Sequence, residues 1–150
     1  MQRVYVATAE AHDDEMRQKI HAHRTHRAAD GWTTIEAPLA LAEAVGAVPD
    51  DTALLVDCLT MWLSNVLLSG RDIEPACDAL LGALAARRGP LVTVSNEVGQ
   101  GVVPDTALGR RFRNAQGALN RRLAEQSDGV VAVMAGLPLA LKGPLPTLAP

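Results

Sequence analysis

Four short apolar runs rich in β-branched residues constrain this chain more than any other feature: Val4 to Thr8, Ala53 to Asp57, Leu91 to Ser95 and Val130 to Met134. Runs of this length read as strands buried on both faces. Between them lie stretches of helical composition at residues 12–27, 38–47, 59–69, 73–88 and 104–126, with Pro38, Pro75 and Pro104 near their starts, where a missing N–H is tolerated. The alternation predicts an α/β domain: a mostly parallel sheet covered by helices, with ligands gathering beyond the carboxyl ends of the strands. It occupies residues 1–142 as a single unit, and the proline-rich GPLPTLAP at 143–150 reads as a loose tail.

Composition narrows the function. With 150 residues, 48% hydrophobic and 21% charged, the chain has the profile of one soluble globular domain. A net charge of −3 supplies no broad basic field for nucleic acid or an anionic membrane, so any anion site must be local. Cys58 and Cys77 are too few for a disulfide framework and fit a reducing cytoplasm. The first residues lack a signal-peptide pattern, and no apolar stretch approaches the roughly 20 residues that span a bilayer. The expectation is a cytoplasmic protein without membrane or nucleic-acid partners.

Several clusters could carry chemistry. His12, His21, His23 and His26 share one predicted helix with Arg24 and Arg27. His23 and His26 are i,i+3 neighbours and Arg27 is i,i+4 from His23, so an imidazole and a guanidinium can face one phosphate. The same spacing also suits a solvated helix with incidental histidines. Asp57 ends an apolar strand, where an acid either serves Mg²⁺ or starts the next turn. On the helix after it, Thr60, Ser64 and Asn65 are expected on the accessible side. The segment SNEVGQGVVP combines Asn96 and Glu97, which could orient a ligand, with Gly99 and Gly101, which permit close backbone approach; it also reads as a plain strand-to-helix connection. Farther on, Leu108, Phe112, Ala115, Leu119 and Leu123 form a predicted core face. Beside it Arg110, Arg113, Gly117 and Asn120 make a polar stripe that a subunit or phosphate could approach.

Together these segments resemble the bifunctional adenosylcobinamide kinase and adenosylcobinamide-phosphate guanylyltransferase family of cobalamin biosynthesis. The resemblance is carried, in order, by VYVATAE, DDEMRQKIHAHR, Trp32 with Thr34 and Glu36, LLVDCLTMWLSNVL, SNEVGQGVVP, RRFRNAQGALNRRLA and AGLPLALK, from about residue 3 to 142. It implies a P-loop NTPase-like, RecA-like sheet and two reactions. A nucleoside triphosphate, ATP or GTP, phosphorylates adenosylcobinamide; GTP then guanylylates an enzyme histidine, which passes GMP to adenosylcobinamide phosphate. By the same resemblance the nucleophile, three residues beyond Ile20, is His23, with His21 and His26 not reacting. Thr8, Ala9, Glu10, Arg24, Thr25, His26, Arg27 and Glu36 are expected to contact nucleotide, and Asp57 the Mg²⁺-bound phosphates. Asn96, Glu97, Gly99, Gly101, Arg110, Arg113 and Asn120 are expected at the substrate or at a subunit interface, the family suggesting a trimer. The sequence departs from the family in containing no G-x-x-x-x-G-K-[ST]. The expectation is a fold without its first strand, phosphate loop and first helix, and a second reading is a catalytically deficient corrinoid- or nucleotide-binding remnant.

Overall fold

The computed structural model describes residues 1–11 and 13–147; His12 and the last three residues of the tail lie outside them. Four strands form one parallel sheet: β1 (Gln2–Ala7), β2 (Thr33–Glu36), β3 (Thr52–Asp57) and β4 (Leu91–Val94), in the order β2-β1-β3-β4. Five helices alternate with them: α1 (Asp14–Ala29), α2 (Leu41–Ala47), α3 (Leu59–Leu68), α4 (Ile73–Ala86) and α5 (Ala107–Gln126). The expected α/β class, with helices flanking a parallel sheet, is the architecture found.

Chain direction decides which face each helix covers. The step from β1 to β2 runs one way across the sheet, whereas β2 to β3 and β3 to β4 run the other way. Right-handed crossovers therefore put α1 on one face and the later helices on the opposite one. The core lies on that second face. Val6, Leu54 and Val56 from the strands meet Leu41 and Val45 of α2, Leu59, Trp62, Leu63 and Val66 of α3, Leu80 and Leu84 of α4, and Leu119 and Leu123 of α5. The α1 face is thinly covered, since α1 contributes no buried residue. There β3 and β4 present half-buried Leu55 and exposed Val92 and Val94, which share a face by register.

The ends of the elements have local causes. Asp13 caps α1 by accepting from the Met16 amide at 2.7 Å, and Asp14 and Glu15 suit its amino-terminal dipole. Thr106 caps α5 by accepting from the Gly109 amide at 3.0 Å, so the helix begins at Ala107 and not at Pro104. At the far end of the sheet, Arg87 donates to the carbonyls of Val48, Pro49 and Thr52, binding the end of α4 to the turn before β3.

Four expectations need correction. The run Val130 to Met134 is a strand, β5, but it is not buried in the parallel sheet. It pairs antiparallel with β6 (Leu137–Lys142), a strand the sequence reading did not find. Ala135 and Gly136, with φ of 52° and 75°, form the two-residue turn between them, and positive φ at both positions matches strand twist in a tight hairpin. Val133, Met134, Leu137, Leu139 and Leu141 are all exposed on this ribbon, which Lys142 ties to the end of α5 through the carbonyls of Ala124 and Glu125. Strand β2 was also missed, because its TTIE has too few apolar residues to register as a run. Leu108 does not join the core face: it sits on the first turn of α5, beyond the packed layer, and Gln116 is fully buried beside Leu119. Finally, Asn65 is buried, not on the accessible side of α3.

Candidate active site

The strand order reverses between β1 and β3, and at such a switch point the loops leaving adjacent strands diverge to opposite faces and open a crevice. Thr8, just past β1, closes its floor. It is fully buried; its hydroxyl donates to the Cys58 carbonyl at 2.7 Å and accepts from the Cys58 amide at 2.9 Å. Asn65 adds a second tie from α3. Its amide nitrogen donates to the carbonyls of Thr8, at 2.8 Å, and Pro38, at 3.1 Å, so one side chain holds the loops after β1 and β2. This bond pattern explains its burial, since a buried amide must find partners.

Above these ties lies an open cleft of about 660 Å³, lined by Ala9, Glu10 and Ala11 after β1, by Arg17, Ile20, His21 and Arg24 of α1, and by Glu36 and Pro38 at the end of β2. Its walls carry both signs of charge. Arg24 donates to Glu36 across 3.4 Å, an exposed and weak pair that a phosphate can replace. Arg17 is paired with Asp14 on its own helix at 2.7 Å.

A second group adjoins the cleft on the α1 face of the sheet. Tyr5 pairs in register with Leu55 and Ala7 with Asp57, so Tyr5 and Asp57 are diagonal neighbours. The Tyr5 hydroxyl donates to Asp57 Oδ2. Burial, and then the bond to the Asp57 carboxylate, push the Tyr5 phenol up to about 12, so it stays a donor through the neutral range. The Arg27 guanidinium lies over the Tyr5 ring, 3.9 Å from its centroid, and Trp32 meets the same ring edge-on at 6.5 Å.

The structure thus brings together Ala9, Glu10, Arg24 and Glu36 of the expected nucleotide contacts. The remaining ones have other surroundings. Thr8 forms the buried floor, Thr25 donates to the His21 carbonyl within α1, and His26 lies 3.8 Å from Asp30. Arg27 and Asp57 belong to the Tyr5 group. His23 is exposed and outside the cleft lining, whereas His21, set aside in the sequence, is part of it. Ile20 and Arg27, seven residues apart, are the half-buried positions of α1, and His23 and Arg24 fall on the turns between them.

Across the crevice, the Asn96 amide donates to the Thr60 hydroxyl at 2.8 Å, and Asn120 donates to the Asn96 carbonyl and to Glu97 Oε1. Ser95, Gln116 and Asn120 complete this network. Arg113 donates to the Gly99 carbonyl, and Arg110 to those of Pro104 and Asp105. The polar stripe on α5 is therefore engaged in holding the segment from Ser95 to Asp105. Gly101 and Gly117 have open space where a Cβ would be.

Sequence reasoning missed the part played by four residues. A lone amide in the apolar LTMWLSNVLL was the available signal for Asn65; Tyr5, between Val4 and Val6, offered only its alternation; Arg17 and His21 become visible once Ile20 and Arg27 define the inner side of α1.

Comparison with known proteins finds relatives along nearly the whole chain. The family described as cobinamide kinase / cobinamide phosphate guanyltransferase matches residues 1–141. The bifunctional adenosylcobalamin biosynthesis protein CobP of Pseudomonas aeruginosa is 44% identical over 142 residues, covering 93% of this chain and 82% of its own. The bifunctional adenosylcobalamin biosynthesis proteins CobU of Salmonella typhimurium and Escherichia coli are 35% and 34% identical, each over 94% of this chain and 86% of their own. With a parallel sheet, a cleft at the carboxyl ends of β1 and β2 and a match along nearly the whole length, this chain belongs to the cobinamide kinase / cobinamide phosphate guanyltransferase family.

Proposed function

We propose that this protein is a transferase of adenosylcobalamin biosynthesis that phosphorylates adenosylcobinamide and transfers GMP to adenosylcobinamide phosphate through a histidine of α1. The observation that supports the reading is the cleft itself: His21 and Arg24 from α1 line it with Glu10 and Glu36 from the strand ends, joining imidazole, guanidinium and carboxylate at the carboxyl ends of β1 and β2. In the guanylyl step a neutral imidazole nitrogen attacks the α-phosphorus of GTP. A P–N bond forms, the bond to the bridging oxygen breaks, and pyrophosphate leaves with its electron pair. A phosphate oxygen of the corrinoid substrate then attacks the same phosphorus and releases the histidine. Arg24 counters the charge that develops on the phosphoryl oxygens. In this reading Glu36 and Glu10, which line the cleft, accept from the guanine or ribose.

Magnesium typically takes one or two carboxylates and completes its shell with phosphate oxygens and water. Asp57, one half-buried carboxylate at a strand tip, fits that demand; among the described residues no three His, Cys, Asp or Glu side chains form a cage of protein ligands alone. When bound, Mg²⁺ neutralises triphosphate charge and eases loss of pyrophosphate.

His23 is the nucleophile in this reading, and His21 is the rival because it lines the cleft. The test is incubation with Mg²⁺ and GTP, followed by intact-mass and peptide spectra of the wild type, His23→Ala and His21→Ala. An acid-labile GMP adduct on His23, lost only in His23→Ala, is the expected result. An adduct on His21 moves the role there, and no adduct in folded protein rejects guanylyl transfer through α1.

A further inference from the structure

We propose that Tyr5 is a positioning residue: it joins α1, the helix that carries the histidines, to the Asp57 carboxylate at the tip of β3. The need for such a joint follows from how little else holds α1. None of its residues is buried, and only Ile20 and Arg27 are half-buried, so apolar packing does not fix the helix on the sheet. Its ion pairs are exposed: two lie within the helix, His26 lies 3.8 Å from Asp30 at its end, and Arg24 reaches Glu36 at 3.4 Å. Pairs of that kind hold geometry weakly.

The close contact from α1 to the sheet is Arg27 on Tyr5. The guanidinium lies 3.9 Å from the ring centroid, within the range of a strong cation–π stack, and its Nε is buried with no hydrogen-bond partner. The unpaired Nε shows that this edge of the guanidinium is turned away from water where it meets the sheet. Trp32 flanks the ring edge-on with planes at 89°, and Arg3 backs Trp32 at 5.8 Å. At the other end of the same side chain, the hydroxyl donates to Asp57 Oδ2. One residue therefore touches both halves of the site. Arg27 is one turn beyond His23, so a shift of the guanidinium off the ring swings the histidines relative to Asp57.

Two substitutions separate the two contacts. Tyr5→Phe keeps the ring for Arg27 and removes the bond to Asp57. Tyr5→Leu removes both. Amide hydrogen exchange is read in α1, with α4 as an internal reference for global stability, and guanylylation is read as a single-turnover rate at several GTP concentrations. The expectation for Tyr5→Leu is at least tenfold faster exchange in α1 with α4 unchanged. For Tyr5→Phe the expectation is unaltered exchange, unaltered half-saturation by GTP, and a transfer rate about tenfold or more below wild type, the loss typical of partners that orient a working ligand. Should Tyr5→Leu also loosen α4, Arg27→Gln replaces it, with the same faster exchange in α1 expected.

Unchanged α1 exchange in the ring-deleting or Arg27 variant overturns the joint, as does a wild-type transfer rate in Tyr5→Phe. The rate measurement rests on the guanylyl-transfer reading, whereas the exchange measurement does not. Absence of any adduct in the wild type therefore rejects that reading, and α1 exchange alone then decides whether Tyr5 and Arg27 hold the helix.

Discussion

Replacing Asn65 by leucine tests whether one amide holds the floor of the cleft. The side chain is 8% exposed and its nitrogen serves the carbonyls of Thr8, at 2.8 Å, and Pro38, at 3.1 Å. Leucine has the same number of side-chain heavy atoms and the same branch at Cγ, so the shape is kept while both donors vanish. The Thr8 carbonyl lies in the buried interior and loses its partner outright, which costs about 2–3 kcal/mol; the half-buried Pro38 carbonyl recovers water and costs about 1 kcal/mol. The added apolar burial returns about 1 kcal/mol. The net destabilisation is about 2–3 kcal/mol. With a urea slope of about 2 kcal/mol per molar for a domain of this size, the unfolding midpoint moves down by roughly 1–1.5 M. Because the two carbonyls belong to the loops leading into the cleft, hydrogen exchange at residues 9–11 and 36–39 should rise more than in α4. A midpoint within about 0.3 M of wild type refutes the reasoning, and so does a normal destabilisation with no local loosening of those loops.

Burial pushes the Cys77 thiol from its ordinary 9.0 up to about 11, so at pH 8 an alkylating reagent should modify the half-exposed Cys58 and spare Cys77 in peptide spectra. The unfolded thiol ionises near 9.0 and the folded one near 11, so this contribution to stability is complete below pH 9 and falls as pH rises through that window; a melting temperature flat from pH 9 to 11 contradicts it. Gly89→Ala places a Cβ 2.9 Å from the Asp50 carbonyl carbon and closer still to its oxygen, both backbone atoms that cannot swing aside. It should destabilise by about 1–3 kcal/mol, a loss measurable in urea, while Gly82→Ala, with open space at its Cβ, should be neutral or stabilising.

The elements that apolar periodicity can report were legible, and those that depend on distant partners were not. ALLVD and LVTVS announced β3 and β4 because strands covered on a buried face read as continuous hydrophobic runs. TTIE did not announce β2, since its strand character comes from pairing with β1. The run VVAVM looks like the others, yet it forms half of a hairpin, a difference set by the turn Ala135–Gly136 that follows it. At the site, the carboxyl-end rule located the cleft, and Glu10, Arg24 and Glu36 converge there. What no spacing reveals is the assignment of Arg27 to a tyrosine ring, or of Arg110 and Arg113 to backbone carbonyls. A guanidinium expected to meet a ligand and one that braces a loop have the same sequence signature.

The strand order also sets a timetable for a nascent chain. Strand β1 lies between β2 and β3 in the sheet, and both neighbours follow it in the sequence, β3 only at residues 52–57. At common elongation rates the interval to Asp57 lasts about 3–10 s. During it the apolar segment VYVA lacks the β3 partner it has in the finished sheet, and Arg3 on one side and Glu10 on the other are charges that discourage pairing between chains. Slower synthesis lengthens that exposure, and chaperone supply should govern the soluble yield more strongly than the stability of the finished fold.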